Sequence, residues 1–487
     1  MTLTIGIDLG TSGVKAVILQ DAETVLADAA QPIAVSIPHV GWSEQNSDDW
    51  VAAVWSCLDR LATDAPKEMA AVTAIGLSGQ MLCALLLDKS HKPLRPAILW
   101  NDQRSIAECA ELLALCPDIG QRTNGTPDPG ITAPKLLWLA KHEPHIMRDA
   151  RMLLLTKDYV RLALTGEVAT EPTDAGGTQL MDCRTGQWDH QLCAFAGWNP
   201  DHLPLVTSAW LAAGGLRPQL AQRWGLKPNI PVAAGAGDNM ASTLGAGAAR
   251  PGDAVLTIGT SGVACIVDAT FHPGPQRAIL TSAHAAPDTF LSMGVVMSAT
   301  AALDWTARLS GTTTAATLAG EAEAMDARKT DASPVFLPCL TGIRTPANRP
   351  QASGRLEGLH PGVDRAMMGY ATMEGVAFQF ADCITAQREV GAIPHRFVAV
   401  GGGTRSALWT TLIATAIGEP VALPARADIG GPAGAARLAA VAAGASTDVL
   451  SNPLPMRGTI DPDPALAERL KPRKARFDAL VESARRG

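Results

Sequence analysis

The chain has 487 residues, of which 47% are hydrophobic, 18% charged and only 4% aromatic, a globular composition with enough aliphatic material for more than one sizeable core. The formal charge of −7 argues against nucleic acid or an anionic membrane as partner and leaves any anionic ligand dependent on local positive charge, helix N-termini or a metal. Nine cysteines without a CxxC pair read as free thiols of a reducing compartment, and neither they nor an HExxH motif suggest a protein-built zinc site. No basic, apolar leader opens the sequence and no run reaches the ~18 apolar residues of a membrane helix, so a cytoplasmic protein is expected.

In chain order, residues 3–9 and 14–19 read as strands around the turn Gly10–Gly13, a β-hairpin pattern. Residues 50–61 have helical spacing; 72–77 and 84–87 read as strands, and 106–115 and 134–142 as helices. A short strand at 232–236 runs into Gly237-Asp238-Asn239, with a small-residue helix at 240–245. Strands at 254–258 and 263–267 flank a second glycine-rich turn, and a strand at 397–400 meets Gly401-Gly402-Gly403 before a helix at 406–417. Gly430-Gly431-Pro432 precedes an Ala-rich helix at 433–443. This alternation predicts the α/β class. A boundary falls at Arg250-Pro251-Gly252, dividing the chain into units 1–249 and 250–487.

The pentapeptide Gly-Thr-Ser-Gly-Val occurs at Gly10–Val14 and again at Gly259–Val263. The long separation points to two equivalent domains rather than a solenoid. Glycines admit a ligand close to the backbone and tolerate φ > 0, successive N–H groups make an anion-binding concavity, and Thr11, Ser12, Thr260 and Ser261 add hydroxyl donors. Lys15 supplies a charge just past the first turn. One copy alone reads as an ordinary hairpin turn; two copies in one context read better as phosphate loops. Neither is a Walker A loop, and Gly401–Gly403 does not match GxGxxG.

Asp8, directly before the first turn, is either a turn-bonding carboxylate or, beside phosphates, a ligand of Mg²⁺ held with several waters. Asp238 is either an N-cap or the base that takes a proton from an attacking hydroxyl. Gly401, Gly402 and Gly403, and Gly430 to Pro432, offer close approach to a nucleotide or are only tight turns.

Taken together these residues resemble the FGGY family of carbohydrate kinases, and most narrowly its bacterial xylulokinase branch, over nearly the whole chain. The similar stretches are Ile5–Lys15, Trp42–Gln45, Gly79–Met81, Arg95–Asp102, Thr132–Trp138, Gly237–Asn239, the second glycine turn, Arg344–Pro346 and Gly401–Gly403. The resemblance implies two actin-like ATPase (ribonuclease H-like) domains with sugar and ATP in the cleft between them. It implies Asp238 as catalytic base and Asp8 acting through Mg·ATP. The ATP phosphates would lie on Gly10, Thr11, Ser12, Lys15, Gly259, Thr260 and Ser261. Adenosine would lie on Gly401–Gly403 and Arg405, and the sugar near Met81, Leu82, Trp100, Asn101, Asp102 and Asn239. The expected reaction is phosphorylation of a primary hydroxyl of a ketopentose, D-xylulose first; the resemblance is compatible with a homodimer, which no residue signals.

The chain departs from the family where the sugar is read. Leu82 replaces the histidine after the Gln-Met pair, Ile343 and Ala347 replace polar residues around Arg344-Thr345-Pro346, and Met367 stands where a polar residue is usual. Another pentulose, a tetrulose or a polyol is therefore the second expectation. A non-catalytic ATP- or sugar-binding protein of the same fold is a third, against which Asp8 and Asp238 both argue.

Overall fold

The apolar runs around Thr11 and Ser12 form an antiparallel pair in the computed structural model, which describes residues 2–312, 314–426 and 429–486. They are β1 (Leu3–Gly10) and β2 (Gly13–Gln20). β3 (Thr24–Pro32) continues the meander, while β4 (Val72–Gly79) and β5 (Pro231–Ala233) join the far side of β1 in parallel. The sheet order is β5-β4-β1-β2-β3, with Ala212–Gly215 as an antiparallel edge beyond β5. The second half repeats this design with β6 (Asp253–Ile258), β7 (Gly262–Asp268), β8 (Phe290–Val296), β9 (Arg396–Val400) and β10 (Val421–Pro424). Its order is β8-β7-β6-β9-β10, with the same strand directions. The repeated pentapeptide is thus the visible trace of a duplicated fold.

Four helices fix how the halves meet. α1 (Ser47–Asp64), capped by Asn46, packs on β2 and β3, and its Trp50, Val54, Leu58 and Leu61 share a core with Val14, Ala16 and Ile18 of β2. α2 (Asp238–Gly245) ends the first half, α3 (Arg365–Glu389) runs through the core of the second, and α4 (Gly430–Ala442) follows β10. α2 and α4 are exchanged. Met240 and Leu244 of α2 share a core with Val255, Cys265 and Val398 of the second sheet. α4 lies on the opposite face of the first sheet from α1, where Gly6 and Gly76 pair in register. A Cβ at Gly6 would stand 1.8 Å from Pro432 O, and one at Gly76 1.9 Å from Ala435 O, so only glycine lets this helix approach the strands. The two helices also touch backbone to backbone, Gly434 against Ala241 and Gly245 against Gly430. Buried Arg437 of α4 donates to the carbonyls of Leu244 and Gly245, closing the C-terminal end of α2.

Two expectations change. The glycines Gly430 and Gly431 do not precede a helix; they form its first turn. The strand expected at 232–236 breaks at Gly235 (φ +91°), where a Cβ would collide with Leu77 O, and resumes at Ala236–Gly237 beside Ser78 and Gly79. α4, which follows residue 250 in the chain, covers the first sheet.

Candidate active site

Asp8 shares with Gly6 the face of β1 that meets α4. Its in-register neighbour on β4 is Ser78, whose hydroxyl donates to Oδ1. The start of α4 closes on the other side: a Cβ at Gly431 would stand 2.7 Å from the carboxylate carbon. The positive end of the helix therefore faces the acid. Lys15 lies across β2 in register and adds attraction, yet burial outweighs both partners and raises the Asp8 pKa above the usual carboxylate range.

The break at Gly235 swings the chain so that Asp238 opens α2 near Asp8. Gly237, not Asp238, occupies the N-cap position, so the capping reading of Asp238 falls. Its Oδ1 accepts from the backbone N–H of Asn239 (2.8 Å) and from the Asn239 amide (3.2 Å). No hydrogen bond reaches Oδ2 among the described residues. Burial first, and the Asp8 charge second, push the Asp238 carboxyl up to about 7. A carboxylate with one oxygen anchored, one open, and a pKa near neutrality suits proton abstraction.

Met81 and Leu82 form the wall beside this acid. A Cβ at Gly237 would meet Met81 Sδ at 2.6 Å, and one at Gly177 would meet Leu82 Cδ2 at 2.3 Å. Trp100, half-exposed, donates from Nε1 to Thr11 Oγ1 (2.8 Å). Thr11 donates to Gln80 (3.0 Å), Gln80 to Gln45 (2.7 Å), and Gln45 returns to the Thr11 carbonyl (2.7 Å). This ring ties the first glycine turn to the segments that carry Gln45, Gln80 and Trp100. Asn101 is exposed and Asn239 half-buried. Asp102, expected to face the sugar, is 0% exposed. Its carboxylate accepts from the Ser43 N–H and from the guanidinium of Arg104, which stacks on Trp42. It anchors its own loop.

The two glycine turns are alike in sequence but close differently. Gly10 pairs with Gly13 across a two-residue turn, whereas Ile258 pairs with Gly262 across three residues. None of the four glycines has positive φ, so conformational freedom does not explain them; crowding explains two. Gly13 lies against Gln31 O, and Gly262 against Phe380 and Val296. Gly10 and Gly259 meet nothing but the backbone of their own turns, and Ser12, Thr260 and Ser261 are exposed, an open surface for phosphate oxygens. Gly401 takes φ +95° against Ile258, Gly403 is packed on Ile258, and Gly402 has nothing within 4 Å. Arg405 is exposed at the end of that turn.

Sequence reasoning missed Ser78, Gly431 as the floor under Asp8, and Thr173, whose hydroxyl accepts from the Gly237 N–H (2.8 Å). Only strand register brings Ser78 to Asp8, and no motif signals the others. All nine cysteines are free, and among the described residues no helix is long and apolar enough to cross a membrane.

The family model described as FGGY family of carbohydrate kinases, N-terminal domain, matches residues 3–245, and the corresponding C-terminal domain matches residues 254–443. The chain is 38% identical to the xylulose kinase of Escherichia coli (strain K12) over 98% of both chains. Its fold matches the crystal structure of a xyloylose kinase from Brucella ovis with a TM-score of 0.95 and 41% identity, covering 99% of both chains. The xylulose kinase from Rhodospirillum rubrum matches with a TM-score of 0.91 and 30% identity over 99% of this chain and 98% of that one.

Proposed function

Because the chain belongs to the FGGY family of carbohydrate kinases, an ATP-dependent phosphotransferase family, we propose that it transfers the γ-phosphoryl group of ATP to a primary hydroxyl of D-xylulose, giving D-xylulose 5-phosphate and ADP. The carrying observation is the Asp238 carboxylate, open at Oδ2, poised near neutrality and close enough to Asp8 to feel its charge. In this reading the sugar lies between Met81, Leu82, Trp100, Asn101 and Asn239. Oδ2 of Asp238 takes the hydroxyl proton as the new oxygen–phosphorus bond forms and the bond to the ADP oxygen breaks. The turns at Gly10–Ser12, Lys15 and Gly259–Ser261 hold the phosphates; the open face of Gly402, with Gly401, Gly403 and Arg405, borders the adenosine. In this reading residues 1–249 carry the sugar, phosphate contacts and the base, and 250–487 the rest of the ATP site.

The donor set fits a Mg²⁺ brought by ATP. Among the described residues no three His, Cys, Asp or Glu side chains form a cage, so Asp8 would hold the ion together with phosphate oxygens and water. When bound, the ion neutralises charge on the phosphates. Placement in the cytoplasm is part of the same reading, supported by nine free cysteines.

Leu82 favours a second reading within the same chemistry, because an aliphatic side chain at the sugar wall cannot hydrogen-bond a hydroxyl. Another pentulose, a tetrulose or a polyol is then the acceptor. A coupled ADP-release assay with Mg·ATP and a panel of ketoses, aldoses and polyols decides. The highest kcat/KM is expected for D-xylulose; a higher value for another acceptor replaces it, and sugar-independent ADP release refutes the kinase step.

A further inference from the structure

Leu82 is held in a conformation that leucine resists. Its φ is +68°, in the left-handed region that a side chain disfavours and glycine enters freely. Both sides of the residue are clamped. Its N–H donates to Asp174 Oδ1 (3.3 Å), and its carbonyl accepts from Thr132 Oγ1 (3.0 Å) and Lys135 Nζ (2.9 Å). Lys135 is fully buried, and burial brings its amine down to about 8.

Asp174 is 0% exposed and belongs to a buried cluster with Lys157, Asp158, Arg161 and Glu171. Lys157 Nζ lies 2.9 Å from Asp158 and 3.0 Å from Glu171, but 3.6 Å from Asp174 Oδ2. That oxygen has no hydrogen-bond partner. Lys157 thus pairs more closely with Asp158 and Glu171 than with Asp174, and the hydrogen bond that the Asp174 carboxyl accepts comes from the Leu82 N–H. Burial holds its carboxyl well above the usual range, in keeping with a neutral acceptor. The neighbouring Thr173 takes the Gly237 N–H directly before Asp238 (2.8 Å), and Glu171 caps this short turn by accepting from the N–H groups of Thr173 and Asp174. Two adjacent residues therefore set the wall and the base against each other.

We infer that Asp174 is a positioning residue for the sugar site: it holds Leu82 in the left-handed conformation and so keeps the Met81–Leu82 wall beside Asp238. This rests on the reading of Met81 and Leu82 as the sugar wall. Without the carboxyl, Leu82 relaxes toward an ordinary conformation, the wall withdraws, and the acceptor binds less well while Mg·ATP is unaffected.

The test is a cycle of Asp174→Ala and Leu82→Gly, with Asp174→Asn as the conservative variant. In the leucine background Asp174→Ala raises the sugar KM about tenfold, the scale set by the strain of a left-handed leucine, with the KM for Mg·ATP unchanged. Asp174→Asn keeps an acceptor for the Leu82 N–H and restores the sugar KM. In the glycine background, where residue 82 holds φ > 0 without help, Asp174→Ala changes the sugar KM by less than about twofold. Equal losses in both backgrounds would mean that Asp174 acts only on the stability of the fold, and overturn the inference. A crystal structure of Asp174→Ala gives a readout independent of turnover: residue 82 is expected to leave the left-handed region, and its retention there also overturns the inference. If the wild type turns over no sugar, the proposed substrate fails while the conformation of residue 82 still decides the role of Asp174.

Discussion

At Asp238 two neighbours set opposite demands. The amide groups of Asn239 stabilise the charged carboxylate, while burial and Asp8 oppose it, and the balance leaves the group near neutrality. Replacing Asp238 by Asn preserves the acceptor at Oδ1 and removes the base. The expected result is a fall in kcat of about 10²–10⁴-fold with ATP affinity by calorimetry nearly unchanged; substantial residual kcat refutes the base. Because only the ionised carboxylate accepts a proton, kcat/KM rises with pH and levels above about 7. A profile flat from pH 5 to 8 would assign the proton to another group.

At the scale of elements, the contact of α4 with β1 and β4 depends on two facing glycines. Gly76→Ala places a methyl group where Ala435 O already sits, 1.9 Å away, so the helix must lift off the sheet. A destabilisation of about 1–3 kcal/mol is expected from the urea midpoint, with activity reduced as well, because Gly431 on the same helix backs Asp8. Gly320 is the control. It lies inside the helix Ala315–Glu323 with nothing within 4 Å, so Gly320→Ala adds up to about 1 kcal/mol of stability. Opposite signs at two helix-contacting or helical glycines separate packing from propensity; equal signs would contradict the close approach of α4.

At the scale of the molecule, the exchanged helices make the two sheets one unit around the site, and a histidine secures the crossing. Buried His284 approaches Ala248 O, just past α2, with Nε2 at 3.1 Å. A carbonyl only accepts, so Nε2 carries the proton. The buried Nδ1 has no partner, and burial brings the pKa down from 6.5 to about 4. The folded state therefore binds fewer protons than the unfolded chain between these values. Stability present above pH 6.5 is lost as the pH falls toward 4. The slope of Tm against pH in that window should flatten in His284→Gln relative to wild type; parallel slopes would remove His284 from the acid response.

Much of this was legible from local pattern. The hairpins, the helix at 106–115, the duplicated pentapeptide, and the pairing of Asp8 with one glycine turn all follow from residues near one another in the chain, where periodicity and turn chemistry act. Family resemblance extended that to the reaction class. What the sequence alone did not determine lies in contacts between distant residues. Strand register puts Ser78 on Asp8. Small residues hundreds of positions apart let α4 cross to the first sheet and seat Gly431 under the carboxylate. Leu82, read from sequence as a lost hydrogen bond, proves to be a left-handed residue clamped by a buried acid. Asp102, expected at the sugar, is buried because Arg104 and the Ser43 N–H take its carboxylate. The division has one physical cause: local conformation depends on neighbours in sequence, whereas a charge's partner, its burial and the room beside a glycine depend on which surfaces the tertiary fold brings together.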